Sequence, residues 1–272
     1  MVAESKECKI GIIPKCCPIC NVSTNNVYCI EEFDTGHKAQ WYNCQCGVIF
    51  QDRQPKHECY DAKYLAFYED AKDGYKHNIH AARTYAPIIE ELTYGRMMLD
   101  VGFAIPASMK YFEDRGWLTW GIDINKEIKG KGHIYKGDFQ TYDFSPKIDQ
   151  AILDKLVGVN KKEIKREFDL IWMSHVFEHF SDPIAALKKA YNLLSFSGVL
   201  YISTPDIDAI NKEGIVGFPH WKSREHYILW SERALKRELE RLRFKIIMSR
   251  RNFSARYISW FDIHIIAQKD YF

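Results

Sequence analysis

Four cysteines have the residue type and the spacing needed to bind a zinc ion. Cys17 and Cys20 form a C-x-x-C pair, and Cys44 and Cys46, followed by Gly47, form a second pair. Two short turns of this kind hold four thiolates at about 2.3 Å from one metal. The spacing therefore predicts a structural zinc ribbon, because four protein ligands leave no open position for catalysis. The second pair is one residue tighter than C-x-x-C, which leaves other residues open as replacement ligands: Cys16, Cys29, Cys59, His37 and His57.

Four histidines form the second group of residues that could take part in a reaction. His175 and His179 follow the apolar run "DLIWMS", and His220 and His226 lie in the later stretch "GFPHWKSREHYILW". Histidine has an unperturbed pKa near 6.5, so each of the four is a candidate general base for a hydroxyl substrate. His175 is the first candidate because it directly follows an apolar strand. For His179, a capping or core position held by Glu178 explains the residue as well as a role as base does. "HVFEH" also has the spacing of inverted zinc proteases, which we discount because here it precedes a helix start, "SDP".

A turn and an acid suit a nucleotide-like cofactor. The stretch "LDVGFAIPASM" has one glycine, Gly102, and has Ala104 and Pro106 where a dinucleotide-binding loop would have further glycines. Those glycines let the backbone approach a pyrophosphate, so a cofactor without phosphate suits this loop better. Asp123 ends the next apolar run, at the position where doubly wound proteins hold ribose hydroxyls. The combination favours S-adenosylmethionine over a nicotinamide dinucleotide.

The elements that must position these groups alternate between apolar runs and helical or loop segments from about residue 86. Helices are predicted over residues 107–116 and 146–168, between Pro183 and Gly198, and after a Ser231 cap. Five apolar runs separated in this way predict a parallel sheet covered on both faces. Two further runs, "KIIMSR" and "ISWFDIHIIAQK", have no helix between them and predict an antiparallel hairpin at one edge. The predicted fold is α/β, with a doubly wound, mostly parallel seven-stranded sheet whose carboxyl edge carries the ligand site.

Composition divides the chain of 272 residues, since all eight cysteines lie before residue 60. We predict a zinc-ribbon domain over residues 1–58, a helical connector over 59–85 and the α/β domain over 86–272. The net charge of +2 is too balanced to favour a nucleic-acid partner. No apolar run is long enough to predict a membrane span. The start lacks the apolar segment of a secretory signal, so we expect a cytoplasmic protein.

The order of these motifs resembles a known family. "LDVG", "GIDI", "GDF", "FDLIWMSHVFEHFSDP" and "GVLYISTPD" follow one another as in class I S-adenosylmethionine-dependent methyltransferases. The branch that this chain is most similar to carries an N-terminal zinc ribbon and often modifies sugars, glycans or natural products. The resemblance covers nearly the whole chain and implies S-adenosylmethionine as the cofactor. It implies that the methionine end is lined by Asp100, Gly102, Phe103 and Ala104, that the ribose and adenine meet Asp123, Ile124, Asp138 and Phe139, and that Ser174 and His175 lie between cofactor and acceptor.

The sequence therefore predicts an enzyme that transfers a methyl group to a small-molecule acceptor, at a hydroxyl of a sugar-like or natural-product compound. The reaction is an in-line displacement in which a positioned base removes the hydroxyl proton. Two alternatives stay open: a catalytically degenerate methyltransferase fold that acts as a binding or scaffold module, and a nucleic-acid methyltransferase that uses the ribbon as a clamp. A nicotinamide-dependent oxidoreductase is disfavoured by the missing glycines. No membrane partner is expected, and the sequence leaves open the oligomeric state and the need for a catalytic divalent metal.

Overall fold

The computed structural model describes most of the chain. The described residues are 15–32, 38–53, 72–128, 133–144, 167–210, 218, 221–252 and 261–270. Several predictions fall outside these ranges: nearly all of the helix over 146–168, the connector over 59–71, and the candidates Cys59, His37, His57 and His220.

The N-terminal part consists of short antiparallel strands. They are β1 (Lys15–Cys16), β2 (Ser23–Thr24), β3 (Val27–Glu32), β4 (Lys38–Cys44) and β5 (Val48–Gln51). β1 and β2 pair with each other, while β3, β4 and β5 form a second, larger sheet. The turns that carry the two cysteine pairs follow β1 and β4, so both pairs lie at turns as the ribbon prediction requires.

The central sheet has seven strands. They are β6 (Met97–Val101), β7 (Leu118–Asp123), β8 (His133–Lys136), β9 (Phe168–Ser174), β10 (Leu194–Pro205), β12 (Phe244–Asn252) and β13 (Asp262–Lys269). Their order is β12-β13-β10-β9-β6-β7-β8, with β13 antiparallel to both β10 and β12 and the other pairs parallel. The predicted α/β fold with an antiparallel hairpin at one edge is confirmed.

Four α-helices cover this sheet in the described part of the chain. They are α1 (Lys72–Leu92), α2 (Ala107–Glu113), α3 (Pro183–Leu193) and α4 (Glu232–Arg241). Asp182 caps α3 by accepting the Ala185 N–H at 2.9 Å, and Ser231 caps α4 by accepting the Ala234 N–H at 3.2 Å. The sequence predicted that α3 ends at Gly198, but the helix ends at Leu193. Leu194 instead begins β10 and pairs with Phe168 of β9, because the backbone gains a sheet partner there.

The N-terminal sheet also contains a strand from the C-terminal half of the chain. Strand β11 (Ile228–Trp230) pairs with β5 in antiparallel register, Ile228 opposite Phe50 and Trp230 opposite Val48. Trp41 and Trp230 are fully buried in this region. The predicted boundary at residue 58 therefore separates two segments of sequence that share one sheet, and α1 continues past the predicted end of the connector at residue 85.

Candidate cofactor and acceptor site

A pocket opens at the carboxyl ends of β6, β7, β8 and β9. Its lining residues are Gly102, Ala104, Ile122, Asp123, Ile124, Asn125, Gly137, Asp138, Phe139, Gln140, His175, Val176, His179 and Phe180. The four parallel strands direct their carboxyl ends to the same edge, which is where ligands bind in open α/β sheets. The walls are largely apolar, and none of these described lining residues is lysine or arginine.

Asp123 connects the two loops at the base of the pocket. It ends β7 and is 8 % exposed. Its Oδ2 accepts the Ala104 N–H at 3.1 Å and its Oδ1 accepts the Asn125 N–H at 2.8 Å. Burial raises the pKa of Asp123, and the two N–H donors act in the opposite direction by favouring the carboxylate. A carboxylate offers about four acceptor positions, so two N–H donors leave room for ligand hydroxyls.

The loop after β6 reaches its shape with a single glycine. Gly102 has φ +68° and donates its N–H to the Ile122 carbonyl at 2.8 Å. A Cβ added at Gly102 would lie 2.5 Å from Cγ2 of Val176, so glycine is required for both conformation and space. Ala104 also has a positive φ, +41°, in the left-handed region that disfavours residues with a Cβ. Its N–H bond to Asp123 holds this strained turn, which explains why the loop works without a second glycine.

Replacing Gly102 with alanine is expected to destabilise the fold more than replacing Gly116. Gly116 also has a positive φ, +84°, but a Cβ there would have no atom within 4 Å. Gly116→Ala should cost about 1–2 kcal/mol from backbone strain alone. Gly102→Ala should cost about 1–3 kcal/mol more, because Val176 is stiff and must move. Urea unfolding measures both values, and equal losses would contradict the close contact with Val176.

Three residues assigned to the cofactor by resemblance lie outside the pocket wall. Asp100 is buried, accepts a hydrogen bond from the Ser108 hydroxyl, and has its pKa raised by burial to about 8. Phe103 packs into a small buried cluster with Met109 and does not line the pocket. Ser174 donates its hydroxyl to Asn78 Oδ1 of α1 at 3.4 Å. The other six cofactor candidates line the pocket: Gly102, Ala104, Asp123, Ile124, Asp138 and Phe139.

His175 lies in the pocket wall between two buried carboxylates. Its Nε2 is 3.2 Å from Asp262 Oδ2, and its Nδ1 is 3.5 Å from Glu178 Oε1. Burial favours the neutral ring, but the charges of Asp262 and Glu178 outweigh it and raise the pKa of His175 well above its usual value. An imidazolium has no lone pair for a proton, so this environment suits a hydrogen-bond donor better than a general base.

His179 and His226 meet on the other side of Glu178. The imidazole rings are edge to face, with centroids 4.8 Å apart. His179 lines the pocket, whereas His226 is 3 % exposed and lies behind it, in the turn before β11. Glu178 is fully buried, and Thr204 donates its hydroxyl to Glu178 Oε2 at 2.9 Å. Burial raises the pKa of Glu178, but the hydrogen bond from His175 and the nearby imidazoles hold it well below its usual range.

Two polar residues of the site were not predicted from the sequence. Asp262 begins β13 and reaches His175 only because β13 lies beside β10 in the sheet. Gln140 follows the predicted Phe139, and its Oε1 accepts the Ser181 hydroxyl at 3.1 Å and the Asp182 N–H at 2.8 Å. The position of Gln140, directly after the apolar run that ends in "GDF", was the available signal for it.

The four predicted zinc ligands lie together. Cys17 Sγ is 3.6 Å from Cys46 Sγ, and Cys20 Sγ is 3.5 Å from Cys44 Sγ. All four sulfur atoms lie within 4.8 Å of one another. Tetrahedral zinc with bonds of about 2.3 Å separates its sulfur ligands by about 3.8 Å, close to these distances. Cys16, one of the replacement candidates, is exposed and outside this group.

A family model described as a methyltransferase domain matches residues 74–249, most of the chain. The chain belongs to this family. It is a class I S-adenosylmethionine-dependent methyltransferase, in agreement with the sheet order and the pocket. No curated protein matches the sequence.

Solved structures share the fold of this methyltransferase at low sequence identity. The 1,6-didemethyltoxoflavin-N1-methyltransferase of Burkholderia thailandensis, with bound S-adenosylhomocysteine, has a TM-score of 0.56 at 14 % identity, over 89 % of this chain and 99 % of that one. A putative methyltransferase complexed with the Haloferax volcanii Trm112 activator has a TM-score of 0.54 at 12 % identity, over 77 % of this chain and 96 % of that one. A methyltransferase from Archaeoglobus fulgidus has a TM-score of 0.51 at 18 % identity, over 76 % of this chain and 99 % of that one.

The pocket of the methyltransferase fits S-adenosylmethionine. The cofactor has no phosphate, and the described lining offers no lysine or arginine to bind one. Apolar residues such as Ile124 and Phe139 suit adenine, and the Asp123 carboxylate suits ribose hydroxyls. Within the described residues, no helix is both long and apolar enough to cross a membrane.

Proposed function

We propose that the methyltransferase transfers the methyl group of S-adenosylmethionine to a hydroxyl of a small sugar-like or natural-product acceptor. The observation that carries this proposal is the ionisable wall of the pocket, where His175 and His179 flank the buried Glu178. A hydroxyl is a poor nucleophile until its proton leaves, so its methylation needs such groups beside the acceptor. A pocket without ionisable groups beside the acceptor would suit an acceptor that already has a free lone pair.

For the cofactor, we propose that Asp123 holds the ribose hydroxyls and that Ile124, Asp138 and Phe139 surround the adenine. Gly102 and Ala104 would lie along the methionine end. When bound, the cofactor supplies a methyl group activated by its positive sulfonium. Two further residues from the predicted set would act indirectly: Asp100 by fixing Ser108 at the start of α2, and Phe103 by packing against Met109 of the same helix.

For the acceptor, we propose that the reacting oxygen lies beside the positive charge of the His175 ring, whose two nitrogens already face Asp262 and Glu178. Asp262 and Glu178 keep this ring charged, which stabilises negative charge on the oxygen as its proton leaves. The hydroxyl proton of the acceptor leaves next to Glu178, His179 and His226, which lie beside His175. Ser174, beside Asn78 of α1, would orient the acceptor at the edge of the wall.

We also propose that Cys17, Cys20, Cys44 and Cys46 bind structural zinc within a ribbon domain over residues 1–58. The sulfur distances support this ligand set, and β11 extends the ribbon sheet into the methyltransferase domain over residues 86–272. The ribbon would then stabilise the turn that carries His226, because Gln51 of β5 donates its side-chain N–H to the His226 carbonyl at 2.5 Å.

The test is an acceptor screen with purified protein and S-adenosylmethionine. Sugars, phenols, amines and a structured RNA are each supplied, and S-adenosylhomocysteine release and product mass are measured. We expect methylation of a hydroxyl compound, with an O-methyl signal in the NMR spectrum of the product. Exclusive methylation of nitrogen, or of RNA with steep salt dependence, would overturn the hydroxyl proposal. Binding of the cofactor without turnover on any class would favour the scaffold alternative.

A further inference from the structure

One oxygen atom of Glu178 lies at the centre of a group of imidazole nitrogens. Its Oε1 is 3.9 Å from His179 Nε2 and 3.8 Å from His226 Nε2. These three atoms lie within 4.8 Å of one another. Hydrogen bonds between nitrogen and oxygen span about 2.7–3.2 Å, so these separations are too long for direct bonds. Ligands about 2.1 Å from one metal ion lie about 3.4 Å apart in a tetrahedral arrangement, so a small inward movement would complete such a site.

The orientation of His179 fits a metal ligand. Its Nδ1 lies 2.8 Å from the Glu225 carbonyl oxygen. A carbonyl oxygen only accepts, so Nδ1 must carry the proton, and in the neutral ring the lone pair is then at Nε2. That nitrogen faces Glu178 and His226. A backbone carbonyl that fixes the tautomer in this way is the usual outer partner of a metal-binding histidine.

His226 is held in place by the ribbon sheet. Gln51 Nε2 donates to the carbonyls of Ser223 at 2.7 Å and His226 at 2.5 Å. The Tyr227 N–H donates to the Glu178 carbonyl at 2.9 Å, which joins the turn before β11 to the 3₁₀ turn that carries Glu178. The backbone segments that carry Glu178, His179 and His226 are therefore joined by hydrogen bonds, as a preorganised site requires.

We propose that Glu178, His179 and His226 bind a divalent transition-metal ion in the wall of the cofactor pocket. Two imidazoles and one carboxylate suit zinc, iron, nickel or manganese, whereas calcium and magnesium prefer oxygen ligands throughout. Glu178 Oε1 also faces His175 Nδ1 at 3.5 Å, so the cation would share this buried carboxylate with a ring whose other nitrogen pairs with Asp262. Three protein ligands leave open positions for a substrate.

The role of this ion rests on the proposed function. A metal ion held by Glu178, His179 and His226 would bind the acceptor hydroxyl and lower its pKa, so that the hydroxyl proton passes to water. The oxygen–methyl bond then forms as the sulfur–methyl bond breaks, and neutral S-adenosylhomocysteine remains. His179 bound to a metal would not also serve as the general base, so the ion replaces the histidine base of the sequence analysis.

The test is a cobalt titration, without cofactor or acceptor, of protein that carries one zinc ion per chain for the four cysteines, because a second zinc ion would occupy the histidine site. Cobalt at a nitrogen and oxygen site gives visible d–d absorption without the thiolate charge-transfer bands of a cysteine site. Wild-type protein and His80→Gln, which alters an exposed histidine of α1, should bind this cobalt equally. His179→Gln and His226→Gln should each weaken binding by at least about 100-fold. Circular dichroism checks that each variant is folded.

Two outcomes would overturn the proposal: no such absorption in wild-type protein, or unchanged affinity in His179→Gln. If His226→Gln fails to fold, His179→Gln still tests the proposal. The side chain of His179 is 14 % exposed and therefore tolerates replacement better than the more buried side chain of His226. The titration contains no methyl donor or acceptor, so its failure leaves the hydroxyl proposal standing. Conversely, a failed acceptor screen would not contradict metal binding by Glu178, His179 and His226.

Discussion

Asp262→Asn lowers the free energy of unfolding by about 3 kcal/mol, the lower end of the cost of breaking a buried ion pair. Asp262 is 1 % exposed, and its carboxylate lies 3.2 Å from His175 Nε2. Asparagine keeps the shape but removes the charge, so the imidazolium is left with Glu178 alone. Urea unfolding at neutral pH measures the loss. Asp208→Asn is the matched control, because Asp208 is about half exposed and pairs with Arg251 at 3.6 Å, so its loss stays below about 1 kcal/mol.

The loss in Asp262→Asn also depends on pH in a defined direction. The folded pKa of His175 is raised above the unfolded value near 6.5. Its stabilising effect is therefore complete below pH 6.5 or so and is lost as the pH rises through the folded pKa. The difference between wild type and Asp262→Asn should shrink at alkaline pH. A His175 ring that titrates in folded wild-type protein at or below its ordinary pKa near 6.5, read from its imidazole NMR signals, would contradict a charged His175.

Cys20→Ser removes one thiolate from the ribbon and is expected to abolish zinc binding. In small zinc domains the metal contributes about 10 kcal/mol or more to folding, so the ribbon strands should lose their stable structure. Amide hydrogen exchange should speed up in β4, β5 and β11, because β11 pairs with β5. Strands β6 to β9 should stay protected, since they belong to the other sheet.

The control for this variant is Cys16→Ser. Cys16 is exposed and lies next to Cys17 in sequence, but it is outside the group of four. It should retain zinc, measured by elemental analysis, and should keep the exchange pattern of the wild type. Loss of zinc from Cys16→Ser, or full retention in Cys20→Ser, would contradict the ligand set.

Local sequence patterns were enough to predict the strands and the pocket edge. Strands β6 and β7 show the pattern: each is an apolar run, followed by Gly102 in one case and ended by Asp123 in the other, because both faces are buried and the carboxyl end is polar. Asp123 was predictable for this reason, since its position at the end of β7 fixes it at the pocket base. The single glycine of the loop was also informative, because it excluded a phosphate-binding turn.

Contacts between segments that are distant in the chain could not be predicted from local sequence patterns. Asp262 reaches His175 through the position of β13 between β10 and β12, which no local pattern specifies. The pairing of β11 with β5 likewise joins residues 228–230 to the ribbon, although cysteine content placed a boundary between them. Asp100 shows a related limit: strand-end position predicts a pocket residue, but its carboxyl turns to Ser108 instead.

The most direct test of the cofactor site is calorimetric titration of S-adenosylhomocysteine into wild-type protein, Asp123→Ala and Asp114→Ala. Asp114 is an exposed acid at the end of α2 and serves as the control. Hydrogen bonds to a charged group contribute about 1.5–3 kcal/mol, so Asp123→Ala should weaken binding by at least about 10-fold while Asp114→Ala leaves it unchanged. Equal binding by all three proteins, or no binding by the folded wild type, would contradict a cofactor site centred on Asp123.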